Sequence, residues 1–435
     1  MVLGVEQILG KSVETGSGKV GGVFSPARDQ AVSAKSTKGM EHQASVTSIC
    51  CPVPGIPPGL NMSGAAMYDS NILAELARLG VRCEIIFPEG RNLGCEQVEG
   101  WCLHSLRTPG LPGPLQRLAW IAALGQVVRK IYREDGFQLL RVHSFLSSCL
   151  ETLWILRTCR IRIPVVIHFH HLDGSAWRNR VVGDAMHRSN SVICFSEAAR
   201  KDLLARFQIE PSRVHVVHHG VERRFRPLAS NVGLRRQLNI EADDKVLLFL
   251  GNFEPRKNPL MLLDVVRNLL GRGQKVKLML CGKGPLLSKV QAKVNQLGLG
   301  GFVVLTGPIP EESKPEYYNM ADVFVFPSEL EGFGFVLAEA MSCGKPVVSF
   351  NNSSIPEVVE DSVTGFLVKT GDKDEFVKKT LLLLEDEHLR CRMACQAVER
   401  VERMFRWERA ARETLDIYVK SMEEFKAKVK MGLEQ

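Results

Sequence analysis

The chain has 435 residues, more than one hydrophobic core sustains, which points to two domains or three. Its 45% apolar and 24% charged residues are an ordinary globular balance, and its twelve scattered cysteines include no C-x-x-C pair or Cys/His cluster at metal spacing, so free thiols in a reducing cytosol are expected. The formal charge of +8 leaves anionic membrane and phosphorylated ligands as partners, whereas nucleic acid is not expected without zinc-finger spacing, an RNA-binding aromatic signature or a long basic run.

Residues 1–45 are rich in Gly, Ser, Lys and Val with little periodicity, and read as a disordered leader. Glu6, Glu14, Asp29 and Glu41 argue against a transit peptide, which avoids acids. From Val46 short apolar runs alternate with amphipathic stretches. Val46–Cys51, Arg82–Phe87, Leu139–Val142, Val165–Phe169, Ser191–Phe195 and Val214–His218 predict buried strands. Met67–Leu79, Phe145–Arg157 and Glu197–Phe207 predict helices between them. Pro114 to Arg133 is amphipathic and basic, with Arg117, Arg129, Lys130 and Arg133 beside Trp120 and Ile121. It is expected to pack on the sheet, with peripheral attachment to anionic lipid as the alternative. Its most apolar part, Leu118 to Val128, is far short of the ~20 residues that cross a bilayer, so a cytoplasmic protein is expected.

Residues 221–229 read as a linker, after which the alternation restarts. Val246–Leu250, Val276–Leu280, Phe302–Leu305, Val323–Phe326 and Pro346–Phe350 predict further strands, and Trp407 to Lys426 a long amphipathic helix. The expected architecture is α/β, with Rossmann-like parallel-sheet domains over 46–220 and 230–405. The helix in 406–435 is expected to cross back toward the first domain. In such sheets ligands lie beyond the carboxyl ends of strands, so loops that follow strands are the places to search.

One such loop leads from the strand Val323–Phe326 through Pro327-Ser-Glu-Leu-Glu-Gly into a helix at Phe335–Ser342. Gly332 and Gly334 let backbone approach a ligand closely. The unpaired N–H groups near Phe335 and Val336 suit a pyrophosphate. Glu339, one turn into the helix, can accept hydrogen bonds from adjacent hydroxyls such as those of a ribose. Glu331, on the loop, lies nearer to a sugar. The plain alternative is two surface charges.

The whole string Pro327-Ser-Glu-Leu-Glu-Gly-Phe-Gly-Phe-Val-Leu-Ala-Glu-Ala-Met-Ser-Cys-Gly-Lys-Pro-Val-Val348 resembles the signature of family 4 retaining glycosyltransferases, which have the GT-B fold. Ile355-Pro-Glu-Val-Val and Thr364-Gly-Phe-Leu-Val match as well. The similarity runs from about Val46 to the final helix and is densest from Val246 to Val368. It implies that Glu331 contacts the donor sugar, that Glu339 holds the ribose, and that Gly332, Phe333, Gly334, Phe335 and Val336 supply backbone groups to sugar and phosphates. Lys257 matches the family's diphosphate lysine. Asn252 stands where the family has an arginine, and Arg256 is placed to compensate. His170, at the end of Ile167-His-Phe-His, matches a histidine close to the sugar, with His171 as the fallback register and His168 structural. Gly64 is the carry-over for the glycine loop over the diphosphate. Cys281-Gly-Lys-Gly-Pro and Leu305-Thr-Gly-Pro-Ile309-Pro resemble loops beside the base, with Ile309 a positional assignment. The adjacent His218 and His219, on opposite faces of a strand, are not a metal pair.

The expected catalytic residues are therefore Glu331, His170 and Lys257. The activity implied is metal-independent, retaining transfer of a hexose from a UDP- or GDP-linked donor, with no further cofactor, to a glycan, lipid or small-molecule acceptor held by the first domain. Two alternatives stand beside it: a sugar-nucleotide epimerase or phosphorolytic enzyme on the same fold, and a sugar-nucleotide-binding or scaffold protein impaired in turnover by Asn252 and the eroded glycine loop.

Overall fold

The computed structural model describes residues 46–52, 64–88, 99–108, 110, 112, 114–143, 154–155, 158–170 and 176–432. The expected leader, most of the helix expected at 145–157, and His171 lie outside these residues. The apolar runs form strands buried on both faces, as a parallel sheet clad by helices requires. In the first domain these are β1 (Ser48–Pro52), β2 (Arg82–Pro88), β3 (Trp101–Leu106), β4 (Leu139–His143), β5 (Val165–His168), β6 (Ser191–Cys194) and β7 (Val214–Val216). They are parallel, in the order β3-β2-β1-β4-β5-β6-β7. Helices α1 (Gly64–Arg78), α2 (Pro114–Glu134), α3 (Ala176–Arg188) and α4 (Glu197–Phe207) belong to this domain.

The second sheet repeats the plan with β8 (Lys245–Leu250), β9 (Val276–Cys281), β10 (Val303–Gly307), β11 (Val323–Phe326), β12 (Val347–Phe350) and β13 (Gly365–Val368), ordered β10-β9-β8-β11-β12-β13. Its helices are α5 (Val232–Gln237), α6 (Pro259–Gly271), α7 (Leu287–Gln296), α8 (Lys314–Met320), α9 (Phe335–Ser342), α10 (Ile355–Val358), α11 (Lys373–Glu385) and α12 (Glu387–Met404), followed by α13 (Trp407–Lys430). Each strand order reverses direction once, between β1 and β4 and between β8 and β11. The loops beyond those strand ends part to opposite sides and leave a crevice.

Two strands, β3 and β13, are absent from the sequence expectation. Both sit at sheet edges. With one neighbour instead of two, β3 carries His104 and Ser105 among half-exposed positions and lacks the continuous apolar run of an inner strand. The histidines at 218 and 219 lie past the end of β7 and not on it.

One apolar cluster runs from Ile49, Leu73 and Ile85 on the α1 side of the first sheet through Val217, Val221 and Phe225 to Leu248 and Phe324 in the second domain. A separate cluster with Leu124, Val128, Ile167 and Met186 covers the other face of the first sheet. The chain crosses between the domains twice, and the crossings lie side by side. The Val221 amide donates to the Phe405 carbonyl at 2.9 Å, and Arg406 Nη1 donates to the Val221 carbonyl at 3.1 Å. Helix α13 then packs along α1, with the Tyr418 hydroxyl 2.8 Å from His168 Nε2 and Ser421 Oγ 2.8 Å from Ser191 Oγ.

Gly220 makes the paired crossing possible, because a Cβ there would meet the Trp407 amide nitrogen at 2.4 Å and its ring at 2.5 Å. Both neighbours are backbone or a buried indole and cannot turn aside. Gly220→Ala is therefore expected to destabilise the chain by about 1–3 kcal/mol, typical of overpacking, seen as a lower urea midpoint at unchanged slope. A wild-type midpoint would show that the crossing is loosely packed.

Candidate active site

The loops after β8 and β11, which flank the reversal in the second sheet, carry the charged residues singled out in the sequence. After β8 the chain turns through Gly251 and Asn252 to a 3-10 turn at Pro255–Lys257. After β11 it runs through Ser328 and Glu331 to α9. Lys257 Nζ pairs with Glu331 Oε1, and Ser328 Oγ donates to the same oxygen at 2.6 Å. Lys257 is buried, with its ammonium 4.8 Å from the centre of the Phe326 ring. Burial pulls its pKa below the usual lysine range, against the opposing attraction of Glu331.

The loop holding Glu331 is fixed at its backbone. The Glu331 amide donates to Ser353 Oγ at 3.0 Å, and Ser354 Oγ donates to the Glu331 carbonyl at 3.0 Å. Gly332 follows, close enough to the first domain that a Cβ would come within 3.7 Å of the His170 carbonyl. Gly334 has φ +94°, and a Cβ there would strike Leu337 Cδ1 at 2.8 Å. This glycine starts α9 without a side-chain cap, so the amides at Phe335 and Val336 carry the positive end of the helix dipole into the crevice. Phe333 packs inward against His218, His219, Phe335 and Phe405, which leaves its backbone as the part available to a ligand.

Glu339 is buried one turn into α9. Its Oε2 accepts from the Tyr318 hydroxyl at 2.7 Å, and its Oε1 lies 3.7 Å from Lys314 Nζ. Burial raises its pKa above the usual glutamate value, with Lys314 opposing the shift and Glu311 adding to it. At 3.7 Å the ammonium balances charge without a short hydrogen bond, so Oε1 keeps accepting capacity.

Asn252 is exposed at the end of β8, and its Nδ2 donates to Glu254 Oε1 at 3.3 Å. Arg256, the expected substitute for an arginine there, instead reaches the other loop. Its Nη1 donates to the Leu330 carbonyl at 2.8 Å and lies 3.4 Å from Glu331 Oε1. Ile309 lies two residues past β10, half-buried against the core. Gly64 opens α1.

His170 lies just past β5, stacked on His143 with ring centres 4.1 Å apart. Burial lowers its pKa well below the usual histidine value, and His143 adds to the effect. Behind it, Asp69 of α1 pairs with Arg141 and with His143 Nδ1 at 2.7 Å. Asp69, His143 and His170 bring candidate metal-ligand atoms within 4.8 Å of one another. The arrangement suits an ion poorly. Both Asp69 oxygens are already engaged, one by a guanidinium, and the imidazole planes are only 28° apart, so their in-plane lone pairs run side by side and do not converge. His168 is buried between the hydroxyls of Tyr68 and Tyr418, both at 2.8 Å, a structural place. His218 and His219 do diverge: His218 Nε2 lies 3.2 Å from Glu357, and His219 stacks between Phe195 and Phe335.

The structure thus brings Glu331, Lys257 and Arg256 together, sets Glu339 apart beside α8, and places His170 against Gly332 from the opposite domain. Sequence reasoning missed Ser328, Tyr318, Lys314, Asp69 and His143. Ser328 alone carried a local signal, being three residues before Glu331 in the same motif.

Comparison with known proteins bears on the family and the fold. The family model for glycosyl transferases group 1 matches residues 233–400, and that for glycosyltransferase family 4 matches residues 62–225. A D-inositol 3-phosphate glycosyltransferase of Corynebacterium efficiens is 27% identical over 391 residues, 83% of this chain and 91% of its own length. A protein of the same name from a Nocardioides species is 31% identical over 58% of each chain. Among solved structures, sucrose-phosphate synthase from Thermosynechococcus elongatus superposes with a TM-score of 0.71 at 21% identity, covering 87% of this chain and all of the other. Anabaena HepE in complex with UDP and glucose gives 0.70 at 20% identity, covering 85% and 98%. The two structures share the fold, and with the two family models they show that the chain belongs to the group 1, family 4 glycosyltransferases of GT-B fold.

Proposed function

We propose that the chain transfers a hexose, with retention at the anomeric carbon, from a UDP- or GDP-linked donor to an acceptor held by the first domain. The observation that carries the reading is the spacing of two carboxylates on one short segment. Glu331 sits on the loop with Lys257, and Glu339 is buried one turn into a helix whose uncapped N-terminus lies between them. A sugar, a diphosphate and a ribose laid along that segment meet a carboxylate, amide donors with a lysine, and a second carboxylate. The solved HepE complex with UDP and glucose supports a UDP-linked hexose as donor. The inositol phosphate in the names of the relatives supports a small hydroxylated acceptor as readily as a glycan or lipid.

In this reading the donor enters with Lys257 turning from Glu331 toward the diphosphate. The anomeric bond breaks with oxocarbenium character, and charge gathering on the leaving diphosphate is met by Lys257 and the amides at Phe335 and Val336. No metal ion is assigned to that task. The acceptor attacks from the face the diphosphate leaves, and a leaving phosphate oxygen takes the acceptor proton. His170, held neutral by burial, donates or accepts a hydrogen bond at the sugar and is not assigned as general base. The exposed Asn252 favours a second reading, donor binding without turnover. UDP and GDP binding with neither transfer to a broad acceptor panel nor donor hydrolysis would support that reading over ours, and conversion of donor alone would support an epimerase.

Glu339→Ala is expected to weaken UDP or GDP binding roughly ten- to hundredfold, the loss of about 1.5–3 kcal/mol from hydrogen bonds to a charged group. Glu331→Ala, which also removes the buried partner of Lys257, is expected to depress transfer by more than about tenfold and the affinity of the free nucleotide by less than that. Titration calorimetry and a donor-hydrolysis assay read the two effects, and equal, negligible effects of both would remove the assignment.

The raised pKa of Glu339 fixes the sign of a pH effect. The ribose hydroxyls need the carboxylate, so nucleotide affinity is full above that pKa and is lost as pH falls through it. The loss should begin at a higher pH than for an exposed glutamate. Glu339→Gln, with nothing to titrate, should remove that part of the profile while the nucleotide's own phosphate titration persists. Superimposable profiles for wild type and variant would count against a ribose-binding carboxylate.

A further inference from the structure

Helix α4 begins at the cleft. Ser196 is its N-cap, with Oγ accepting from the Ala199 amide at 3.1 Å, and the same Oγ donates across the cleft to the Gly332 carbonyl at 3.0 Å. The next two amides, which a helix leaves unpaired, are taken by a residue of the other domain. Glu357 in α10 accepts from the Glu197 amide at 2.7 Å and the Ala198 amide at 2.9 Å, and its Oε2 lies 3.2 Å from His218 Nε2. Partial burial pushes the Glu357 carboxyl up, but the bonds from His218, Ala198 and Glu197 outweigh it and hold it below the usual glutamate value. A carboxylate on a helix N-terminus adds the dipole attraction to charge-assisted hydrogen bonds.

The second-domain end of this contact is rigid. Arg400 donates to the carbonyls of Glu357 at 2.9 Å and Val358 at 2.8 Å. The two residues that hold the Glu331 peptide, Ser353 and Ser354, lead directly into α10. Glu357 and Glu331 therefore ride on one braced piece of the second domain, while Ser196 and His170 ride on neighbouring strand ends of the first. Every bond between the two pieces exists only when the domains are together.

We propose that Glu357 and Ser196 are positioning residues that latch the α4 N-terminus of the first domain onto the second, and so set Glu331 against His170. The geometry stands without the transferase reading, while the consequence for turnover rests on it. The nucleotide-facing groups Lys257, Glu339 and the start of α9 all belong to the second domain and do not need the latch. Breaking it should leave nucleotide binding intact and impair the step that needs both domains.

The test uses the full chain with Glu357→Ala, Glu357→Gln and Ser196→Ala. Hydrogen exchange of the Glu197 and Ala198 amides, with UDP and with GDP present, should be at least tenfold faster in Glu357→Ala and intermediate in Glu357→Gln, which keeps an acceptor without the charge. Exchange in β6 and α13 should be unchanged, which excludes general unfolding. UDP and GDP affinities should stay within about twofold while donor turnover falls by at least tenfold. Adding Ser196→Ala to Glu357→Ala should lower turnover by less than the product of the single effects. Unchanged exchange at the two amides in Glu357→Ala would overturn the latch, as would nucleotide affinity falling as far as turnover. If Glu339→Ala also kept its nucleotide affinity, the site reading would fail, yet the amide exchange would still decide the latch.

Discussion

Glu331 and Lys257 have side chains only 9% and 11% exposed, and neither charge could sit at that depth alone. Their pairing joins the loops after β8 and β11 where the strand order reverses, which is the one place in the second sheet where loops part to make a crevice. Ser328 and the guanidinium of Arg256 add further partners to the same carboxylate. In the proposed reading a ligand separates this cation and anion by offering an anion to the lysine and hydroxyls to the glutamate. A diphosphate with a sugar attached offers both. The depth of the pair is thus a constraint on the ligand, since a neutral sugar alone would bury the lysine with nothing new to hold it.

Near this pair the first domain carries a column of rings that reaches the start of α9. His143 stacks on His170, Phe195 on His219, and His219 on Phe335 at the start of α9. Burial holds His168, His170 and His219 well below the usual histidine pKa, so at neutral pH they pack as neutral aromatic rings. The charges nearest to them, Asp69 and Arg141, neutralise each other behind the column. Separating the domains would unstack His219 from Phe335 and break the bonds of Ser196 and Glu357 together. The stacked rings and these polar bonds join the same two domains.

Much of this was legible in the sequence, and the illegible part has a common physical cause. The inner strands announced themselves because both of their faces are buried, and α9 was placed without error because a glycine turn, a strand end and an apolar run meet there. The two carboxylates of the motif were readable for the same reason: their spacing is local. Strand β3 was hidden because an edge strand needs less apolar character, whereas β13, apolar and buried but only four residues long, was read only as part of a matching motif. Tyr318 on Glu339, Asp69 on Arg141 and Glu357 on α4 are bonds between residues 21, 72 and about 160 positions apart. Nothing in local periodicity encodes such pairs. Resemblance could assign Glu339 to a ribose, but not find the lysine and tyrosine that oppose the effect of burial on its charge.

Asn252 shows where local reading and geometry diverge most. Arg256, four residues on from Asn252, turns to Leu330 and Glu331. Its guanidinium is present in the crevice but lies beside Glu331. A diphosphate carries its charge before the anomeric bond breaks and gains more as it leaves. In the proposed donor site, one charge-assisted contact missing at its far end would cost binding and bond cleavage about 1.5–3 kcal/mol in total. That loss falls on Lys257 and the open end of α9 to offset, and the uncapped Gly334 start, with amides aimed into the crevice and no side chain competing for them, is the structural feature suited to do so.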